Sequence, residues 1–393
     1  VPVALTGNQY YVDALSLLKS DANDGSLSAP WATIQHAVSS AAAGDVVYVR
    51  NGIYTEYVQI SRGGTKGAPI TLAAYPGEAP IIEGGGPLGG ILITAGNVVV
   101  DGFEVRNTAA SGQGGGISVF DITDATSDIV ITRNHLHHNM SSDNAAGVYV
   151  VRCIGNVTIS NNIIHDNKGT AAFNETGVSI FGLIGSADYS NLVIDGNEVY
   201  NQGVGIKYKH PTGVNGVCEI RNNLVHDIYS RAAIETVQQG TKIHGNRVYN
   251  VVGTEAAAFR IGVDFDVTDV ELYNNSTSNV YWGVYVQPNS LNSTIHDNSF
   301  VTMPRSGLQG YGMFLGEAAT TKSDFNLFSG GTPANWGGYG GGLPYELADL
   351  RIAGHDMSSI KADPMYVGQT DMTLQPGSPA IGAGSGGKNI GAI

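Results

Sequence analysis

The chain has 393 residues, 54 of them glycine, with 14% charged residues and a formal net charge of −14. That charge excludes nucleic acid as a natural partner, because a polyanion demands a basic face. No apolar run reaches the roughly 18 residues a membrane-spanning helix needs, so no membrane partner is expected. The opening Val1-Pro2-Val3 lacks the charged and apolar stretches of a secretion signal. The expectation is a secreted or cell-surface protein whose signal is not part of this chain.

Residues 10–57 read as an N-terminal cap. Tyr10-Tyr11-Val12 predicts a short strand, and Trp31, Ile34, Ala37, Val38 and Ala41 have helical spacing. Ser28 is the expected helix cap, with Pro30 in the first turn and Gly44-Asp45 as the stop. Val46-Val47-Tyr48-Val49 then predicts a strand. A helix laid over the open end of a strand stack would cover unpaired edges.

Regular coils follow over 90–330. Asparagine recurs at Asn134, Asn162, Asn197, Asn223, Asn246, Asn275, Asn298 and Asn326, at intervals of 23 to 35 residues. A ladder at that period means stacked coils of one unit, with the asparagines bonding from coil to coil. Each coil also carries a short Gly- or Ala-initiated strand, at 116–120, 147–151, 177–181, 205–209, 233–237, 258–262, 283–287 and 312–316. The period of two puts residues such as Ile206 and Tyr208 inside and their neighbours outside. The sheets must be parallel. A leucine-rich repeat would need a Leu consensus and a helix per repeat, and neither occurs. Cys153 and Cys218 fall in different columns two coils apart, roughly 10 Å at about 4.8 Å per rung, beyond the roughly 7 Å reach of a disulfide. Two free, buried thiols are expected. Past residue 330 the pattern loosens: 331–343 reads as a loop, 349–354 as a short helix and 373–382 as a last partial coil. The whole, 1–393, reads as one all-β domain, a single-stranded right-handed parallel β-helix.

Aligning the strands gives columns. The first outward column is Ser118, Tyr149, Ser179, Lys207, Glu235, Arg260, Tyr285 and Phe314. The second is Phe120, Val151, Phe181, Lys209, Val237, Gly262, Gln287 and Gly316. Among only 20 lysines and arginines, the middle of this face collects Lys207, Lys209 and Arg260, with His210 adjacent and Arg231 close in sequence. Cations pair the carboxylates of an acidic sugar chain and rings stack on its sugar faces. Tyr149, Phe181, His210, Arg231, Gln287 and Asp264 are therefore candidate substrate-binding residues. The alternative for Lys207, Glu235 and Arg260 is a salt-bridge ladder on a solvated sheet. His135, His137, His138, His165 and His226 fall near the asparagine turn. Their spacing suits a metal, but stacked polar side chains in a turn are the reading preferred here, and no metal ligands are assigned. Asp264, Asp266 and Asp269 offer oxygens of the kind calcium takes, so calcium is the one candidate cofactor, against an ordinary solvated turn.

The segments Asp24-Gly25-Ser26, Pro30-Trp31-Ala32-Thr33-Ile34-Gln35, Gly44-Asp45-Val46-Val47-Tyr48-Val49 and Gly52-Ile53-Tyr54 resemble the opening of secreted right-handed parallel β-helix proteins of the pectin-lyase-like superfamily. Leu374, Pro376-Gly377-Ser378-Pro379-Ala380-Ile381 and Asn389-Ile390-Gly391-Ala392 resemble their ending. That fold hosts lyases, hydrolases, epimerases and adhesins. Its polysaccharide lyases abstract the proton beside a uronate carboxylate and expel the 4-linked sugar. The resemblance implies Arg260 as carboxylate neutraliser and Lys209 or Lys207 as base. Glu235 opposes deprotonation of Lys207, which favours Lys209 and leaves Lys207 and Glu235 as a positioning pair. Tyr285, Tyr149 or His210 is the candidate acid. Lys209 is also similar in position to the base of the family-six lyases, which include alginate lyases. Their arginine position falls on Val237, with Arg260 one coil later, and their acidic calcium motif is not evident.

The leading expectation is thus a lyase, or closely an epimerase, on an acidic polysaccharide such as alginate. A glycoside hydrolase using Glu235 and a second carboxylate is the second reading, and a non-catalytic carbohydrate-binding β-helix the third. The oligomeric state is not legible.

Overall fold

The computed structural model describes residues 7–182, 191–209, 216–253, 256–262, 265–304, 309–316, 320–336 and 343–392. The chain folds as two compact units, one comprising 1–198 with 214–217 and the other 199–213 with 218–393. The fold class is that expected: an all-β right-handed parallel β-helix with an asparagine ladder.

Among the described residues, the first unit builds three long parallel stacks and a two-stranded sheet, Ala109–Ala110 with Met140–Ser141. One stacks Gln9–Val12, Val46–Val49, Ile70–Ala74, Val98–Asp101, Asp128–Thr132, Asn156–Ser160 and Asn191–Asp195. A second stacks Ile53–Tyr54, Ile81–Ile82, Glu104–Arg106, His135–His137 and Ile163–His165. A third stacks Val58–Ile60, Gly89–Ile93, Gly114–Ile122, Ala145–Cys153 and Glu175–Phe181. The second unit repeats the plan. Its strands Cys218–Arg221, Lys242–His244, Glu271–Tyr273, Ser293–His296 and Thr321–Asp324 form one sheet. The long strand Leu224–Thr236 bends to join both other sheets, pairing first with Arg247–Val251 and then with Ala257–Ile261. In strands such as Asn156–Ser160, Val157 and Ile159 are buried while their neighbours are half-exposed, as a period of two demands.

The ladder is made as the repeat implies. Within the first unit Asn134 donates its amide N–H to Asn162 Oδ1 at 2.9 Å, and Asn162 does the same to Asn197 at 3.0 Å. Within the second, Asn223, Asn246, Asn275 and Asn298 each donate to the next asparagine at 3.0–3.1 Å. The residue before each rung (Arg133, Asn161, Gly196, Asn222, Gly245, Asn274, Asp297 and Phe325) is left-handed, with φ between 50° and 67°. Asparagine, aspartate and glycine take that conformation at least cost, which is why Asn-Asn and Gly-Asn pairs recur. A shorter second ladder runs Thr108, Asn139, Asn167.

The glycines that open the site strands have a packing cause. A Cβ on Gly147 would lie 2.3 Å from Ile164, one on Gly283 2.5 Å from Phe300, and one on Gly312 2.4 Å from Phe328. Each makes room for the large inward residue that follows the next coil's asparagine.

Three expectations need correction. The capping helix is Ile34–Ser40 and its cap is Thr33, whose Oγ1 accepts from the His36 amide; Ser28 lies too early because Trp31 is held in an extended bridge to Val12. Within 331–343, Thr332–Trp336 is a strand, paired with Tyr311–Leu315 and, antiparallel, with Leu343–Tyr345. The stretch 373–382 adds no coil. Ile360–Lys361 is the last rung, and the proline-rich tail packs back across earlier ones. Ala380 and Ile390 lie on Leu327, and the Tyr366 hydroxyl bonds Ser299 Oγ at 2.6 Å. The helix expected at 349–354 occupies Leu347–Ile352. Cys153 and Cys218 are free and buried, and burial pushes both thiols up to about 12.

Candidate active site

The second unit holds the cationic column. Glu235 pairs in register with Arg260, Arg260 with Tyr285, and Tyr285 with Phe314. The Val237 amide donates to the Tyr208 carbonyl at 3.2 Å, the bond that sets Lys207 one rung from Glu235. Ile206, Tyr208, Ile234 and Phe259 are buried, and strand alternation turns their neighbours to the opposite face.

The outward face is not solvated. Lys207 and Glu235 are each 1% exposed, and Tyr285 and Phe314 6%. Arg260 and Lys209 keep partial exposure. Arg231, from the bend of Leu224–Thr236, brings Nε to 3.5 Å from Glu235 Oε2. A carboxylate this deeply buried needs opposite charge beside it; Arg231 supplies it, and Lys207 and Arg260 occupy the rungs on either side. Burial removes the solvated salt-bridge ladder as an account of Lys207 and Glu235. The guanidinium of Arg260 lies 4.6 Å above the centre of the Tyr285 ring. Tyr285 stacks in turn on Trp282 and Phe314, at 5.8 and 5.6 Å. This aromatic floor holds the arginine, which stays half-exposed. Gln287, in the second column, is half-exposed.

In the first unit, Ser118, Tyr149 and Ser179 are in register, as are Phe120, Val151 and Phe181. Here the expectation of open aromatic faces fails. Tyr149 is fully buried between Phe120 and Phe181, with ring centres 5.8 and 5.5 Å away, and its hydroxyl donates to Gln113 Oε1 at 2.5 Å. Burial pushes that phenol well above its ordinary value. Phe181 is 9% exposed. Neither ring presents a face to a sugar. His210 and Asp264 lie outside the described residues. Of the other aspartates considered for calcium, Asp269 accepts from Gln239 and Thr268.

The structure also gathers groups that sequence reasoning set aside. His135 and His137 share one face of a strand. His165 joins them from the next coil and Glu104 from the preceding one. Burial, reinforced by mutual repulsion, holds the imidazoles of His135, His137 and His165 below their usual value, opposed by Glu104 and Asp166. His226 is elsewhere, stacked between Tyr200 and Tyr249.

Comparison with known proteins agrees with this architecture. Residues 10–182 match a family model described as the Pel9A-like, right handed beta helix region. Across 445 aligned positions, 92% of this chain and 90% of the relative, the sequence is 24% identical to the uncharacterized protein YwoF of Bacillus subtilis (strain 168). A 67-residue stretch, 16% of either chain, is 46% identical to pectate lyase PEL9 of Emericella nidulans. The crystal structure of pectate lyase Pel9A superposes with a TM-score of 0.62 over 99% of this chain and 96% of that one, at 16% identity. The chain thus shares the parallel β-helix fold of pectate lyase Pel9A, and its residues 10–182 are similar in sequence to that β-helix region.

Proposed function

We propose that this protein is a polysaccharide lyase that cleaves a uronate-containing polymer by β-elimination, with pectate the first substrate to test. The observation that carries the reading is the second-unit column. Arg231 lies beside the buried Glu235 carboxylate and Lys207 and Arg260 flank it on the adjacent rungs, while Arg260 and Lys209 stay half-exposed. A chain of net charge −14 concentrates positive charge there, where an anionic polymer would be drawn.

In this mechanism Arg260, held over the Tyr285 ring, pairs the uronate carboxylate and so acidifies the adjacent C–H. Lys209 removes that proton. The electron pair forms the new C4–C5 double bond as the C4–O bond breaks, and the departing oxygen takes its proton from solvent water. Lys207 and Glu235 are too buried to touch substrate and act by positioning the strand and its charge. Tyr149 and Tyr285 are likewise too enclosed to protonate the leaving oxygen. The burial of Glu235 also argues against the hydrolase reading, which needs an accessible carboxylate pair. The similarity to pectate lyase PEL9, though short, supports pectate ahead of alginate.

The test is absorbance of the unsaturated uronate while purified protein is mixed in turn with pectate, alginate and glycosaminoglycans, with and without chelator. A rise on pectate that is lost in Lys209→Ala and Arg260→Ala supports the reading. Reducing ends without absorbance would replace it with hydrolysis, and binding without either product with a carbohydrate-binding role.

A further inference from the structure

The histidine cluster of the first unit has the makings of a site in its own right, on a different sheet from the strand columns described above. His135 Nε2 lies 2.8 Å from His165 Nε2, and His137 Nε2 lies 3.2 Å from Glu104 Oε1. The ligating atoms of Glu104, His135 and His137 all fall within 4.8 Å of one another. We infer that Glu104, His135, His137 and His165 form a binding site for a divalent transition-metal ion of the zinc type.

The tautomers favour an ion. Asp166 Oδ2 sits 2.7 Å from His165 Nδ1, so the ring carries its proton there and turns a lone pair toward His135. A carboxylate behind a ligating imidazole is the usual outer-shell support of a metal site. The His137 ring lies with Nδ1 2.8 Å from His138 Nδ1 and with Nε2 facing Glu104. Two ligands on a tetrahedral ion with bonds of about 2.0–2.1 Å stand roughly 3.3 Å apart. The 2.8 and 3.2 Å separations reach that value with little adjustment.

The scaffold is rigid. The four residues come from three successive rungs of one parallel sheet, between buried Val105, Leu136 and Ile164. Entry is open, since the His137, His165 and Glu104 side chains are 13%, 12% and 20% exposed. Arg106 competes for Glu104, with Nη1 at 2.8 Å, but its Nε already bonds Glu83 at 2.7 Å. Glu83, Glu104 and Asp166 against Arg106 leave an excess of two negative charges, matched to a divalent cation. Three nitrogens and one oxygen select zinc, nickel or copper over calcium and magnesium, which take oxygen. An ion here would tie three coils together.

The experiment uses the full chain without an affinity tag, stripped with chelator. Zinc chloride is titrated calorimetrically, with calcium chloride in a parallel arm. One zinc per chain, no calcium heat at this site, and at least tenfold weaker binding in His135→Asn and in His137→Asn are expected. The midpoint of thermal unfolding should rise with zinc in the parent and not in the double variant. Because a variant can lose its fold, Co(II) is also added to the parent chain, where a visible d–d spectrum displaced by zinc is expected. Absence of saturable binding, a featureless Co(II) spectrum, or equal affinity in folded variants would overturn the site and leave a stack of imidazoles.

Discussion

Glu235 stands in register with Arg260 on the next strand of its sheet, and only 1% of its surface is exposed. A charge this enclosed is stable only while its partners remain. Glu235→Ala would leave Lys207 buried with the carboxylate gone, and would strip Arg231 of a partner. Breaking a buried pair in this way costs about 3–5 kcal/mol. Urea unfolding of Glu235→Ala should show a loss of that order. Glu235→Gln should also lose stability, but less, since it keeps the volume and an acceptor oxygen. A loss below about 1 kcal/mol for the alanine variant would mean that the column is hydrated after all.

Lys209 and Arg260 separate chemistry from stability because both keep partial exposure. Lys209→Arg preserves charge but cannot deprotonate at neutral pH. Turnover on pectate should fall by about 10²–10⁴-fold, the usual worth of a general base, with an unfolding midpoint near that of the parent. Arg260→Lys keeps the charge above Tyr285 but loses the planar fork. It should raise KM and lower kcat together. Full activity in Lys209→Arg would remove Lys209 as base.

The ladder and the strand registers were legible because both leave a periodic mark: asparagine after a left-handed residue, glycine or alanine opposite a large inward neighbour. Burial of the outward column was not. The period of two tells which way Tyr149 points, but not that Gln113 from the preceding coil reaches over to bond its hydroxyl, or that Leu88 accepts from Ser118 at 2.6 Å. The proximity of Glu104 to His135 was hidden for a different reason. The ladder position of that coil is Phe103, whose amide donates to Asn134 Oδ1 at 3.0 Å. Without an asparagine the coil stayed outside the alignment, and its acidic residue with it. Arg231 was seen as near only in sequence, because the bend within Leu224–Thr236 that turns it toward Glu235 has no sequence mark.

Asn246 is an interior rung with every polar atom used. Its Nδ2 donates to Ile220 O, His244 O and Asn275 Oδ1 at 2.9–3.1 Å, and its Oδ1 accepts the Asn223 amide at 3.0 Å. Asn246→Ala would leave the Asn223 amide and the Asn275 oxygen each short of a partner in a site with no exposure. At about 1–3 kcal/mol per abandoned group, the variant should lose about 3 kcal/mol or more in urea unfolding. A near-neutral result would mean that water or a shifted turn replaces the side chain.

Asp356 closes the ladder and predicts a pH dependence. Its Oδ1 accepts from Ser323, Ser359 and Asn326 at 2.8, 2.6 and 3.3 Å, while Oδ2 is buried without a hydrogen-bond partner among the described residues. Burial holds this carboxyl above its ordinary value, with Asp324 adding to the rise and the three donors opposing it. A raised acid binds its proton more tightly folded than unfolded. Its contribution to stability is therefore complete below the unfolded value of 3.8 and is lost as pH rises through the higher folded value. Asp356→Asn keeps the accepting oxygen and puts an uncharged group at Oδ2. The unfolding midpoint of the variant, measured from about pH 4 to pH 7, should fall less with rising pH than that of the parent, and at pH 7 the variant should be at least as stable. If the variant is instead less stable at pH 7, with an unchanged slope, Asp356 is ionised in the native protein and its charge is compensated by the three donors.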